Sequence, residues 1–146
     1  MAKTAFPTPQ DAETAFYEAL ESGDLEAMME VWADDEEIVC VHPGGTRIAG
    51  YEQVRDSWAQ ILASGQRLKV QLSEQVYLQG MMLSLHSVHE NIILAEDAAR
   101  QHPVITTNVY LRTAGGWRMI AHHSSLAPQS ARPAGDSLRD APKTLH

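Results

Sequence analysis

A chain of 146 residues with a net charge of −8 is long enough to bury a core without cross-links, so one domain is expected. Its only cysteine, Cys40, excludes an intrachain disulfide and a two-cysteine zinc site, and a reducing cytoplasm suits such a chain. Met1-Ala2-Lys3 runs into threonine, prolines and acids, and no apolar run reaches the roughly 18 residues of a membrane span, so neither secretion nor a membrane partner is expected.

Thr8-Pro9-Gln10-Asp11 reads as a helix start, because threonine caps, proline suits the first helical position and an acid in the first turn answers the cap. Ala12, Ala15, Phe16, Ala19 and Leu20 then recur at helical spacing. Ser22-Gly23-Asp24 ends that helix and caps a second, whose buried stripe is Leu25, Met28, Met29 and Trp32. Of the 19 acidic residues, 11 fall between Asp11 and Glu37, where lysine and arginine are absent. They read as the solvated faces of the two helices, or alternatively as a docking face for a basic partner. Either way they repel phosphate, and no nucleic-acid partner is expected.

The β-rich run Glu36 to His42 stops at Pro43-Gly44-Gly45, from which Thr46 to Ala49 fold back as a small hairpin. After Gly50, the residues Val54, Trp58, Ile61 and Leu62 mark one face of a third helix, closed by Ser64-Gly65. The period then becomes two. Leu68, Val70 and Leu72 alternate with Lys69, Gln71 and Ser73, the pattern of a strand with one wet face. Gln79-Gly80 separates this strand from Met81 to Leu94, and Glu96 to His102 is expected to be a polar connection. Val104 to Arg112 and Trp117 to Leu126 flank the tight-turn sequence Ala114-Gly115-Gly116. Four long strands in succession imply an antiparallel meander.

From Ala127 onward the chain is rich in Pro, Ser, Ala and Arg, with too few large apolar side chains to offset the entropy of ordering. The expected layout is an arm over residues 1–8, a folded domain over 9–127 and a flexible tail over 128–146. Three helices ahead of a meander imply an α+β layer, with the helices on one face of a curved sheet and a cavity between them.

Three segments in this order carry a family resemblance: G-D-L-E-A-M-M-E-V-W-A-D-D at 23–35, V-H-P-G-G-T-R-I-A-G at 41–50 and G-G-W-R-M-I-A-H-H-S-S at 115–125. Together they resemble the SnoaL-like domains of the nuclear transport factor 2-like superfamily, over roughly Asp11 to Pro128. The resemblance implies a cone-shaped, strongly bent antiparallel sheet wrapped on three N-terminal helices, a pocket at its open end, and a homodimer formed through the outer face of the sheet. Such domains include ketosteroid isomerases, polyketide cyclases, dehydratases and hydrolases, and also proteins that only bind or assemble, so the fold leaves the activity open. The isomerases keep their base, an Asp before a Pro, at the end of the first strand; His42 holds that place here. Their second acid falls on Asn108. Their helix-one tyrosine falls on Phe16, which cannot donate a hydrogen bond, and the adjacent Tyr17 is expected to point elsewhere.

His42 is the candidate general base, since an imidazole titrates near working pH; its structural alternative is to bond a loop and close the hairpin. Asn108 is placed to orient a ligand carbonyl, to hold His42 in one tautomer, or to satisfy groups across the sheet. His122 and His123 are adjacent on a strand and so face opposite ways. Alternation with Trp117, Met119 and Ala121 puts His123 on the helix-facing side, as the third catalytic candidate, and His122 on the outer face. Trp32, Trp58, Tyr17 and Tyr110 either line the cavity as ligand-binding residues or fill the core. His86 and Glu90 share one strand face and His89 takes the other, which makes no metal site. The Gly44-Gly45 turn lacks the helix that a phosphate loop needs, and no cofactor is expected. These residues point to a pocket for a small, largely apolar organic molecule, serving isomerase, cyclase, dehydratase or hydrolase chemistry. The alternatives are a non-catalytic ligand carrier or sensor and a dimeric association module.

Overall fold

The structure, a computed structural model, describes residues 5–65, 68–94 and 97–128, and of these the side chains outside 97–102. Past Pro128 the expected tail lies outside the described residues.

Helix α1 (Pro9–Ser22) begins as its sequence implies: the Thr8 side chain accepts a hydrogen bond from the Asp11 amide at 3.0 Å, and Pro9 sits in the first turn. The buried side of α1 is Pro9, Ala12, Glu13, Phe16, Tyr17 and Ala19, wider than the apolar spacing alone. Helix α2 covers α1 on one side and the sheet covers it on another. Neighbouring helix positions differ by about 100°, so a helix covered on two sides takes both Phe16 and Tyr17 inward. Tyr17, expected to point elsewhere than Phe16, is thus buried beside it at 7% exposure.

Gly23, at φ 71, closes α1 by donating its N–H to the Ala19 carbonyl, and Asp24 caps α2 (Leu25–Val31) by accepting from the Ala27 amide at 3.0 Å. The hairpin β1 (Val39–Val41) and β2 (Arg47–Ala49) turns at Pro43-Gly44-Gly45. The Gly50 amide then donates to the Ile38 carbonyl, holding the start of α3 (Tyr51–Leu62) against β1, with Val54 and Trp58 buried.

The meander follows as β3 (Leu68–Gln79), β4 (Leu83–Leu94), β5 (Asp97–Thr113) and β6 (Gly116–Leu126). The sheet order is β2-β1-β6-β5-β4-β3. Because β1 runs parallel to β6, the sheet is mixed rather than wholly antiparallel. The stretch from Asp97 to His102, expected as a connection, belongs to β5 and pairs with the end of β4; backbone pairing overrides its polar composition.

Register shifts at Ser73/Val76 in β3, at Ile93/Leu94 between β4 and β5, and at Val109/Tyr110 between β5 and β6 curl the sheet around the helices. The last of these leaves Ile120 as an extra residue between Met119, opposite Tyr110, and Ala121, opposite Val109. Inward-facing positions therefore run Met119, His122, Ser124 instead of keeping a strict period of two. This reverses the expected placement of the paired histidines: His122 is inside at 4% exposure, and His123 is exposed on the outer face.

Phe6 ties the N-terminal segment to the β5–β6 turn. The Trp117 amide donates to the Phe6 carbonyl at 2.9 Å, and the Arg118 guanidinium sits 5.2 Å from the centre of the Phe6 ring. Gly116, at φ 107, permits this approach, since a Cβ there would meet the Phe6 amide nitrogen at 2.7 Å and its carbonyl oxygen at 2.9 Å. Gly116→Ala is therefore expected to lower the free energy of unfolding by about 2–3 kcal/mol through positive-φ strain and displacement of Phe6. Urea unfolding measures it, and a loss below about 0.5 kcal/mol, the range of an ordinary surface change, contradicts the account.

Candidate functional site

His42 directly follows β1, so the parallel pairing of β1 with β6 decides its place, with Cys40 level with His122 and Val41 level with His123. The half-buried His42 ring has its Nε2 3.1 Å from Ser57 Oγ and 3.6 Å from Cys40 Sγ, and it meets Trp58 edge-on at 4.8 Å between centroids. Ser57, on α3, has a single hydroxyl proton and donates it to the Val54 carbonyl at 2.8 Å. Ser57 can then only accept from His42. The imidazole proton accordingly sits on Nε2, and Nδ1 keeps its lone pair. Burial lowers the His42 pKa below its usual 6.5, so the imidazole is neutral and Nδ1 basic at neutral pH. Burial also pushes the Cys40 thiol up to about 12, which removes it as a nucleophile near neutrality.

Behind His42 lies a continuous circuit of buried polar side chains. The Tyr17 hydroxyl donates to Glu90 Oε2 at 2.5 Å and accepts from Asn108 Nδ2 at 3.0 Å. Asn108 Oδ1 lies 2.6 Å from His122 Nδ1, and Ser124 Oγ lies 3.1 Å from His122 Nε2 and 2.8 Å from Thr106 Oγ1. Strand register produces this arrangement, since Asn108 stands opposite His122 and Thr106 opposite Ser124. Asn108 thus fixes His122, not His42 as one sequence reading had it, and Ser57 takes the part of fixing His42. Burial lowers the His122 pKa to about 3, with smaller contributions from His42 and His123, and burial raises that of Glu90.

Aromatic rings fill the space between the circuit and His42. Phe16 lies 5.0 Å from His122 and 5.6 Å from Trp58, and Trp58 lies 5.8 Å from His122. The buried Trp58 Nε1 makes no hydrogen bond. A buried indole N–H of this kind is a donor lacking its acceptor. Trp32 Nε1 and Tyr110 Oη are also unpaired, but these side chains are fully enclosed in the core, Trp32 bridging to Met119 and Tyr110 4.9 Å from His86.

His86 and Glu90 share the inner face of β4, as the alternation implied, yet they serve different networks. His86 Nδ1 is 3.2 Å from Glu13 Oε2 and Nε2 is 3.1 Å from Ser84 Oγ, while Tyr77 donates to Glu13 and stacks on His86 at 4.0 Å. Among the described residues no group of three or more His, Cys, Asp or Glu side chains is arranged to hold a metal ion. Sequence reasoning missed Ser57, Glu13 and the circuit. Two signals were available: Glu13 and Tyr17 lie four apart inside an otherwise apolar helix stripe, and Ser84, His86 and Glu90 occupy one face of a single strand.

A sequence profile of the SnoaL-like domain matches residues 10–129. The chain belongs to the SnoaL-like domain family. This SnoaL-like domain is 34% identical to a candidate calcium/calmodulin-dependent protein kinase type II association domain from Thiobacillus denitrificans, with 86% of this chain and 99% of that one covered at a TM-score of 0.77. It is 31% identical to a candidate dehydratase of the NTF2-like family from Streptomyces avermitilis, covering 81% and 93% at a TM-score of 0.72. A Nostoc punctiforme protein of unknown function with a cystatin-like fold, 16% identical over 86% and 98% at a TM-score of 0.69, shares the fold alone. The F-box protein SKIP8 of Arabidopsis thaliana is 26% identical over 121 residues, 77% of this chain and 47% of that protein, so the SnoaL-like domain spans about half of it. Among the described residues no helix is long and apolar enough to cross a membrane.

A group whose pKa is lowered on folding stabilises the fold above its unfolded value and loses that contribution as pH falls through its folded value. For His122 the loss runs from 6.5 down towards about 3. NMR titration of the folded SnoaL-like domain is expected to show His122 still neutral at about pH 5. A protonation midpoint near 6.5 contradicts it.

Proposed function

We propose that the protein binds a small, largely apolar organic molecule beside His42 and Trp58 and uses His42 as a general base acting through Nδ1. One observation carries this reading: the Ser57 hydroxyl is committed to Val54, which leaves His42 Nδ1 unprotonated on a ring that meets Trp58 edge-on, and the Trp58 indole N–H has no acceptor. A molecule with one acceptor atom satisfies Trp58, and an acidic proton on that molecule then lies near the base. A single base and a single donor serve isomerisation, cyclisation, dehydration and hydrolysis, and the likeness to a candidate dehydratase supports chemistry of this kind. Asn108 and Tyr17 back the site through His122 instead of touching the reactant, and His123, exposed on the outer face, has no part in it.

Native mass spectrometry of protein purified without added ligand is expected to show a retained small molecule. With carbonyl probes, solvent deuterium exchange into the probe is expected to fall by about 100-fold or more in His42→Ala, while the Tm stays within a few degrees. Because the His42 pKa lies below 6.5, the wild-type rate stays level as pH falls through 6.5 and drops only below it. An undiminished rate in His42→Ala contradicts the base assignment, and binding without turnover makes the protein a carrier or sensor.

A second reading rests on the outer face of the sheet. Register aligns Leu78, Leu85, Val109, Ala121 and Val39 in one cross-strand row there. Next to it, Val76 is 55%, Leu78 63% and Leu83 47% exposed. An apolar face of this kind favours association of two copies, and the likeness to a candidate association domain supports it. Light scattering is expected to give twice the chain mass for the wild type and a monomer for Leu78→Glu; a monomeric wild type contradicts the dimer.

A further inference from the structure

Strand register orders the outer face of the sheet into cross-strand rows. Beside the apolar row of Leu78, Leu85, Val109, Ala121 and Val39 runs a row of Val76, Ser87, Thr107, His123 and Val41, with Arg47 of β2 at its end. The next row holds Ser73, His89, Ile105 and Ser125. His123 is exposed and His89 partly so. Lys69, level with Ile93, also faces outward. Among the described residues no Asp or Glu occupies an outward register position on these strands. Glu74 comes nearest, in the β3 bulge between Ser73 and Val76, and among the described residues it forms no ion pair. The acids are concentrated elsewhere: 11 of the 19 fall between Asp11 and Glu37, on and around the helices that cover the other face of the sheet.

Charge and area together favour a second copy on this face. In a chain of net charge −8, two copies meet best through a side without carboxylates, because both sets of acidic helices then point away from each other. A stable pair buries about 800 Å² and roughly 20–30 residues on each copy. The single row of Leu78, Leu85, Val109, Ala121 and Val39 is too small for that, so the contact takes in the rows of His123 and His89.

We infer that, given the two-copy association proposed above, His89 and His123 make it proton-linked: the pair forms while these imidazoles are neutral and comes apart as they take up protons. An imidazole ordinarily titrates near pH 6.5, so the change falls in the mildly acidic range. Around His123 stand Thr107 of β5, Val41 of β1 and, one strand further, Arg47; around His89 stand Ser73 and Glu74 of β3 and Ile105 of β5. A second copy presents the same face, with its own His89, His123, Arg47 and Lys69, and so brings no row of carboxylates to answer an imidazolium. Protons therefore bind the separate copies better than the pair, and by linkage acidification drives dissociation. The acidic helices act in the opposite sense, since loss of their negative charge weakens repulsion between copies. Inside the sheet, burial holds the His122 pKa at about 3, so that histidine takes no part in this range.

Sedimentation velocity at about pH 7.5 and about pH 5.5, at matched ionic strength, tests this on the wild type and on His89→Gln/His123→Gln. The wild type is expected to be a dimer at the higher pH, with a Kd that rises by about 10- to 100-fold at the lower. In the double variant the Kd is expected to change by less than about threefold. The single variants are expected to fall between, and they decide the matter should the double variant fail to fold. A wild-type dimer whose Kd does not rise, or a rise that the substitutions leave intact, overturns the inference while the two-copy reading stands. Dissociation that coincides with loss of the circular dichroism of the folded chain overturns it too. A wild type that is monomeric at both pH values removes the inference and the two-copy reading together.

Discussion

The Tyr17 hydroxyl, shared between Glu90 and Asn108, fastens helix α1 to strands β4 and β5 at the centre of their interface. A polar patch in the middle of a helix–sheet interface destabilises a fold unless every group finds a partner. Here the partners come from β4, β5 and β6, at sequence separations of 73 and 91 residues from Tyr17. The circuit therefore does more than hold two layers together. A slip of one residue in β4 or β5 would turn Glu90 or Asn108 to the outer face and cost Tyr17 one of its two partners, and a slip in β6 would take His122 from Asn108. Burial sets how close the layers come; the circuit sets which residues face one another.

The same circuit separates His122 from His42 by role. His122 has both nitrogens engaged, one by Asn108 and the other by Ser124, and its buried imidazole stays neutral. His42 has one nitrogen engaged, by Ser57 and more weakly by the Cys40 sulfur. A histidine bonded at both nitrogens is structural, whereas one held by a single nitrogen is oriented and still able to take a proton. Phe16 and Trp58 lie between them as an apolar wall, so the His42 imidazole borders an apolar surface backed by a hydrogen-bonded polar one.

Much of the architecture was legible in the sequence because it rests on local signals. Thr8, Gly23 and Asp24 mark their helix ends by capping chemistry, and Gly50, Pro43-Gly44-Gly45 and Ala114-Gly115 mark turns where they occur. Of the candidate site, His42 beside Pro43, Asn108, Tyr17 and Trp58 were legible as residues, but not the partners that register and curvature give them. The reversal of His122 and His123 was hidden because Ile120 carries no mark of a bulge; the register with β5 creates it, and register is a non-local property. Tyr17 was misjudged because a single apolar stripe was assumed for a helix that is covered from two sides. Glu90 and Ser57 were invisible as partners because their contacts depend on the curvature that brings α1, α3 and the sheet together.

The central claim is that six side chains act as one hydrogen-bonded unit. A double-mutant cycle between Tyr17→Phe and Ser124→Ala tests it most directly, since these residues are linked only through others in the circuit. If the circuit is one unit, breaking it at either place removes much of what the other contributes, and the combined loss falls short of the sum by about 1–2 kcal/mol. Losses that add to within about 0.3 kcal/mol contradict the claim and reduce the circuit to separate pairs.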